Sequence, residues 1–213
     1  MVPTSEGRGS EGLPAEPRTS ETSGGLGDPA VASASLYSRS MPLTERTIAT
    51  VGSGVMAEAM IAGLLRGGQV TPDRIVASHP RADRRALLER DYGIRTAAAN
   101  TEAVTGADVI VLAIKPQMLP RVGRELAPAL TDGQLVISIL AGATTTALAN
   151  VLRHRQIVRS MPNTPARLGK GMTVWYATPE VTAEQREQAS TLLRALGAEL
   201  QVDDEKFVSM ATA

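Results

Sequence analysis

Short apolar runs alternate with amphipathic stretches from residue 47 onward. The apolar runs predict strands at 47–51, 74–78, 94–96, 108–114, 134–140, 156–160, 171–177 and 199–202. The amphipathic stretches predict helices at 55–66, 80–92, 100–105, 116–130, 144–152, 182–196 and 205–213. Because strands that alternate with helices form parallel sheets covered on both faces, the pattern indicates an α/β fold with a doubly wound, mostly parallel sheet.

A glycine-containing turn joins the first predicted strand to the first helix. Gly52 permits a tight turn, Gly54 lets the backbone approach a ligand, and Ala57 keeps the helix close to the strand. A helix that begins near Val55 points free N–H groups toward the turn, where they can bind phosphates. The turn therefore predicts a Rossmann-type dinucleotide site, with a glycine-rich turn that binds no ligand as the alternative.

The two ends of the chain differ from this pattern. Residues 1–42 are rich in Ser, Gly, Pro, Thr and Glu and lack apolar periodicity, so they are predicted to be a disordered extension. Translation starting at Met41 is an alternative explanation of this segment. Residues 43–202 form the predicted dinucleotide-binding domain. Residues 203–213 look like the start of a further helical domain, or else a short docked helix.

The composition of the chain excludes several classes of ligand and catalytic site. The chain has 22 basic and 22 acidic residues, so its charge does not favour nucleic acid or an anionic membrane. It has no cysteine and two histidines, which excludes disulfides and thiolate catalysis and argues against a metal site. No apolar run is long enough to cross a membrane. Hydride transfer fits this composition because the cofactor supplies the reacting atom.

Residues that follow the strands are the candidate ligand contacts, because ligands bind at the carboxyl ends of such sheets. After the second strand no carboxylate occurs before Asp83, while arginines follow closely, which favours NADP(H) with NAD(H) as the alternative. Lys115 follows the fourth predicted strand, and residues 138–142 lie at the end of the fifth. After the sixth strand comes a loop in which prolines flank Asn163 and Thr164. Those two polar residues predict a substrate-side loop, although a structural turn explains the prolines equally well.

Several stretches together resemble the pyrroline-5-carboxylate reductase family. They are 51–59 (VGSGVMAEA), 112–117 (LAIKPQ), 138–142 (SILAG), 159–165 (RSMPNTP) and 202–206 (VDDEK). The resemblance implies NADPH-dependent reduction of 1-pyrroline-5-carboxylate to L-proline in the cytoplasm, the last step of proline biosynthesis. It also implies that a helical domain follows residue 213 in the family, forms a homo-oligomer and supplies most of the substrate pocket.

Carried over by position, the resemblance assigns cofactor contacts and no catalytic side chain. The contacts implied are Gly52, Ser53, Gly54, Val55 and Met56 at the pyrophosphate; Ser78, His79 and Arg81 at the adenosine ribose and its phosphate; Asn100; Ala113, Ile114 and Lys115 at the nicotinamide ribose; and Ala141 near the ring. Two alternatives remain open. One is another NADP-dependent oxidoreductase of the 6-phosphogluconate and β-hydroxyacid dehydrogenase superfamily, and the other is a dinucleotide-binding module without catalysis.

Overall fold

The computed structural model describes residues 43–211. The disorder predicted for residues 1–42 lies outside this range, as do the last two residues of the predicted C-terminal helix. No helix in the described range is long and apolar enough to cross a membrane. Within the same range, His, Asp and Glu side chains form no group of three that could hold a metal ion.

One eight-stranded sheet organises residues 48–201. Its strands are β1 (Ile48–Val51), β2 (Ile75–Ser78), β3 (Arg95–Ala97), β4 (Val109–Leu112), β5 (Leu135–Ser138), β6 (Ile157–Pro162), β7 (Gly171–Ala177) and β8 (Gly197–Gln201). The order is β3-β2-β1-β4-β5-β6-β7-β8. All neighbours pair in parallel except β6 and β7, which are antiparallel. The predicted mostly parallel, doubly wound sheet is confirmed.

Helices connect the strands and cover both faces of the sheet. They are α1 (Val55–Arg66), α2 (Ala82–Tyr92), α3 (Asn100–Val104), α4 (Leu119–Leu126), α5 (Thr145–Leu152), α6 (Ala183–Arg194) and α7 (Lys206–Met210). Short 3-10 turns lie at Pro72–Arg74, Pro116–Met118 and Thr164–Leu168. Helix α6 begins with the capping box that its sequence predicts, in which Thr182 and Gln185 bond reciprocally.

The core consists of two apolar layers, one on each face of the sheet. In β4, Val109 and Val111 belong to one layer, while Ile110 and Leu112 belong to the other. All four side chains are buried, as the continuous apolar run predicts for a central parallel strand. Each such side chain contributes about 1.5–3 kcal/mol when fully buried, so the layers fix the sheet and the loops at its edge.

Two predicted elements differ from the structure. The predicted helix 116–130 is a 3-10 turn followed by α4, and Pro120 lies in the first turn of α4, where it interrupts nothing. The strand predicted at 156–160 continues to Pro162, because it pairs with β7 as far as Thr173. Other boundaries shift by a few residues at most.

The segment after β8 packs back onto the sheet. Asp204 accepts a hydrogen bond from the Lys206 amide at 2.9 Å, one residue before Glu205, the N-cap residue of α7. In α7, Val208 is fully buried, while Phe207 and Met210 are 45% and 66% exposed. Val208 is therefore the buried apolar residue through which α7 packs on the rest of the described chain.

Candidate functional site

The carboxyl ends of β1, β2, β4 and β5 lie along one edge of the sheet. The chain leaves β1 toward β2 on one side, while β4 lies on the other side of β1. Such a change of direction opens a crevice at the edge, and ligands of open α/β sheets bind there. The predicted contact residues at the ends of these strands are thereby brought to one edge.

The turn between β1 and α1 makes two different uses of glycine. Gly52 has φ +84°, and a Cβ on it would lie 2.9 Å from the Ala113 carbonyl oxygen and from Ile114 Cγ2. Gly52 therefore lets the turn pack directly against the end of β4. A Cβ on Gly54 would meet no atom within 4 Å. The space beside Gly54 is open, as a ligand approaching the backbone requires.

Backbone amides at this turn remain available to a ligand. Gly54 is the N-cap of α1 and no side chain caps the helix. Within the described residues, the amides of Gly54, Val55 and Met56 donate to no protein acceptor. Free amides and the positive end of the helix dipole favour an anion at this point. The arrangement is suited to a phosphate or pyrophosphate group.

Three predicted contact residues lie beneath the turn and support it. Ser53 and Ser78 are fully buried, and the Ser53 hydroxyl donates to the Ser78 carbonyl at 3.0 Å. The Ser78 hydroxyl donates to Asn100 Oδ1 at 2.8 Å. The same Ser78 oxygen accepts a long hydrogen bond of 3.4 Å from the Gly52 amide. Asn100 in turn donates to Glu125 at 3.3 Å. Their side chains hold the turn from inside the protein.

The segment after β2 presents one imidazole and one free guanidinium. His79 is partly buried, and its Nδ1 accepts from the Arg81 amide at 3.2 Å. Burial, followed by the positive charge of Arg81, lowers the pKa of His79. The imidazole is therefore neutral at pH 7. Arg81 is 67% exposed and lies 3.5 Å from Asp83, a solvated pair that constrains it little.

The two arginines in the first turn of α2, Arg84 and Arg85, are engaged by the protein. Arg85 donates to the His79 carbonyl at 2.8 Å. Arg84 pairs with Glu58 and donates to the Ser53 carbonyl, and its side chain is 16% exposed. Arg81 is consequently the arginine of this segment that is most available to a ligand. The positive charges after β2 do not by themselves separate Arg81 from Arg84 and Arg85; only the family resemblance singled out Arg81.

Glu58 and Tyr92 are residues near the turn that sequence reasoning missed. The Tyr92 hydroxyl donates to Glu58 Oε1 at 3.0 Å, while Arg84 binds the other carboxylate oxygen. Burial, followed by the hydrogen bond to Glu58, raises the pKa of Tyr92, so the phenol stays protonated. The sequence does contain a signal for Glu58. It is an acidic residue in the first turn of a helix predicted to bind phosphate, and its charge would oppose that of the phosphate.

The loops after β4 and β5 reach the same edge. The Ala113 amide donates to the Val51 carbonyl at 2.9 Å, which joins this loop to the end of β1. Lys115 is exposed, while Ala113 and Ile114 are partly buried. Ala141 is exposed and precedes Gly142, which has φ +74°. These loops therefore present backbone groups and the ammonium group of Lys115 along the crevice.

The loop after β6 is fastened to β7. The Asn163 amide donates to the Met172 carbonyl at 3.2 Å, and the Asn163 Oδ1 accepts from the Met172 amide at 3.0 Å. Thr164 begins the 3-10 turn. A groove of about 700 Å³ separates this turn from α1 and is lined by Val55, Glu58, Ala59, Ala62, Arg66, Tyr92, Pro165 and Leu168. The groove follows the outer face of α1, so it adjoins the strand edge without being the crevice itself.

Comparisons with known proteins point in one direction. Residues 47–142 match the family model described as NADP oxidoreductase coenzyme F420-dependent. The chain is 44% identical over 167 residues to the pyrroline-5-carboxylate reductase of Pseudomonas aeruginosa, covering 78% of this chain and 61% of that protein.

Solved structures agree with the sequence match. The structure of a pyrroline-5-carboxylate reductase from Coxiella burnetii has a TM-score of 0.74 and 33% identity, over 76% of this chain and 61% of that one. The Plasmodium falciparum pyrroline carboxylate reductase, solved with NADP bound, has the same fold at 21% identity, with a TM-score of 0.67 over 76% of this chain and 60% of that one. The chain spans about three fifths of the length of the curated relatives that it matches.

Proposed function

We propose that the chain is the dinucleotide-binding part of a pyrroline-5-carboxylate reductase, a family whose curated members it resembles over about three fifths of their length. The reaction is reduction of the C=N bond of 1-pyrroline-5-carboxylate to L-proline, the last step of proline biosynthesis. The electron donor is NADPH, with NADH as a weaker alternative. The substrate is a small molecule, and the complete enzyme is a homo-oligomer in the cytoplasm.

The observation that carries the proposal is the turn from β1 to α1 with its free amides. A dinucleotide needs an anion site for its pyrophosphate at the carboxyl edge of the sheet, with space for the phosphates next to the backbone. The unpaired amides of Gly54, Val55 and Met56 and the open space at Gly54 fit that need. Gly52 and Ser53 shape the turn from which those amides project.

The other predicted contacts divide into ligand-facing and supporting residues. Arg81 is assigned to the 2′-phosphate of NADPH because its guanidinium is exposed. Lys115 and the backbone of Ala113 and Ile114 are assigned to the nicotinamide ribose, and Ala141 to the ring. His79 lines the adenosine side, while Ser78 and Asn100 support the turn.

The proposed reduction requires binding and orientation of the reactants and little acid–base chemistry from the side chains. Bound NADPH supplies the hydride that adds to the imine carbon. The described residues bind and orient the two reactants, and this positioning is the main contribution that a protein makes to such a transfer. Asn163 and Thr164 are assigned to the substrate side of the crevice. No described side chain is assigned as proton donor, because a protonated imine already carries the proton that the product nitrogen retains.

One experiment separates this function from its alternatives. The 213-residue chain is titrated with NADPH while the fluorescence of the cofactor is followed, and 1-pyrroline-5-carboxylate is then added. Consumption of NADPH with matching formation of proline supports the reductase. Binding without consumption supports a non-catalytic module, the second candidate. Absence of binding to NADPH and NADH would refute the proposal. Turnover of a β-hydroxyacid instead would place the chain with the other dehydrogenases.

A further inference from the structure

A hydrogen-bonded cluster beside the glycine turn plays no part in the contacts proposed above. Arg84 from α2 reaches across to α1, where Nη2 pairs with Glu58 Oε2 and Nε donates to the Ser53 carbonyl oxygen at 3.0 Å. Tyr92 holds the second oxygen of the same carboxylate. The side chains of Arg84 and Glu58 are 16% and 27% exposed. The cluster therefore joins two helices to one peptide group of the turn.

The bond from Arg84 fixes the direction of a neighbouring amide. In a trans peptide the C=O and the following N–H point in opposite directions within one plane. Because Arg84 holds the Ser53 carbonyl, the Gly54 N–H is directed away from Arg84. This N–H is one of the amides without a protein acceptor among the described residues. Arg84 thus orients a ligand-binding group that it does not itself touch.

The charge of Arg84 has a second consequence. Glu58 lies in the first turn of α1, close to the amides that face the proposed pyrophosphate. An unpaired carboxylate there would repel a bound pyrophosphate, and partial burial would strengthen the repulsion. Arg84 neutralises this carboxylate. Its own positive charge is used within the protein, which separates it from the exposed Arg81.

We propose that Arg84 is a positioning residue for the cofactor, which sets the Gly54 amide and cancels the charge of Glu58 at the pyrophosphate. The inference rests on the proposed function. It implies that Arg84 acts on the part of the ligand that NADPH and NADH share. Loss of Arg84 therefore weakens both cofactors by a similar factor. Loss of Arg81 weakens NADPH selectively, because only NADPH has a 2′-phosphate.

The test measures the dissociation constants of NADPH and NADH for variants of the full chain. Arg84→Met should weaken both cofactors by about tenfold or more, since the hydrogen bond that orients the Gly54 amide is lost and the Glu58 carboxylate is left uncompensated. The double variant Glu58→Gln/Arg84→Met should recover part of the loss, because the repelling carboxylate is gone. Arg90→Met is the matched control, since Arg90 lies on the same helix, is 74% exposed and should leave both constants unchanged.

Each outcome bears on the inference. A loss confined to NADPH would show that Arg84 binds the 2′-phosphate directly, and an Arg84→Met variant that binds like Arg90→Met would show no positioning role; either result overturns the inference. If Arg84→Met does not fold, judged by circular dichroism, Arg84→Lys keeps the charge but not the forked contact and should weaken both cofactors by an intermediate factor. Binding of neither cofactor to the wild-type chain would overturn the proposed function itself.

Discussion

Glu205→Ala is expected to destabilise the protein strongly, because Glu205 holds three partners at once. It accepts from the Thr145 amide, the Thr145 hydroxyl and Arg159 Nη1, each at 2.8 Å. Arg159 lies in β6 with a side chain that is 4% exposed, and its other described partner is the Ser209 hydroxyl. Removal of the carboxylate leaves a buried guanidinium without an acid and the first turn of α5 without an acceptor.

The expected loss in the free energy of unfolding is about 3 kcal/mol. Breaking a buried ion pair by removing one partner costs about 3–5 kcal/mol, and the 24% exposure of Glu205 places this pair at the lower end. For a protein of this size, about 3 kcal/mol lowers the melting temperature by about 6–12 °C. Glu205→Gln keeps an acceptor oxygen and should cost about 1–2 kcal/mol.

The same pair predicts a pH dependence. Burial alone would raise the pKa of Glu205, but hydrogen bonds from Thr145 and from Arg159 outweigh it and hold the pKa below its ordinary value of 4.5. A carboxylate with a lowered folded pKa contributes stability above its unfolded pKa, and the contribution is lost as the pH falls through the folded pKa. The difference between wild type and Glu205→Gln should therefore be largest near neutral pH and shrink below about pH 4.5.

Urea unfolding followed by circular dichroism at several pH values measures both effects. Lys206→Gln is the control, because its pair with Asp204 is exposed on both sides and should contribute less than about 1 kcal/mol. A Glu205→Ala protein as stable as Lys206→Gln would contradict the reasoning. A wild-type to Glu205→Gln difference that stays constant from pH 7 to pH 3 would contradict the pH argument.

Four further substitutions test the site and the packing that supports it. Gly54→Val should abolish NADPH binding while changing the unfolding free energy by about 1 kcal/mol or less, since its Cβ meets open space; unchanged affinity in a titration would exclude this turn as the phosphate site. Gly52→Ala should instead destabilise by about 1–3 kcal/mol in urea, because of its positive φ and its contact with Ala113. Arg81→Ala should raise the dissociation constant of NADPH more than that of NADH, and equal losses would remove the 2′-phosphate assignment. Gly63→Ala should cost about 1–3 kcal/mol, because its Cβ would meet a backbone carbonyl after α6, and full stability would contradict that contact.

The sequence predicts the elements of this fold well because their signals are local. The capping box at Thr182 and the apolar run of β4 each lie within a few residues, and both are found as expected. The ion pair between Arg159 and Glu205 joins positions that are 46 residues apart, and no repeating pattern in the sequence predicts it. The role of Arg84 is hidden in the same way, since its partner Glu58 lies 26 positions earlier. Sequence reasoning finds candidate charges, while the fold decides which of them remain free.

The turn at the edge of the sheet is held by hydrogen bonds and packing on its inner side and leaves three backbone amides without a described acceptor. Ser78 holds it from below, the end of β4 packs against Gly52, and Arg84 holds the Ser53 carbonyl from the side. These contacts hold the inner side of the turn, while Gly54 and Val55, which carry two of the free amides, are exposed. Under the proposed function, affinity for the pyrophosphate resides in the backbone. Substitutions weaken it by disturbing the supports or, at Gly54, by filling the open space beside the turn. Under the proposed function, the choice between NADPH and NADH rests on Arg81, an exposed side chain at the start of α2. We therefore expect substitution at Arg81 to change the cofactor preference without loss of the fold or of the anion site.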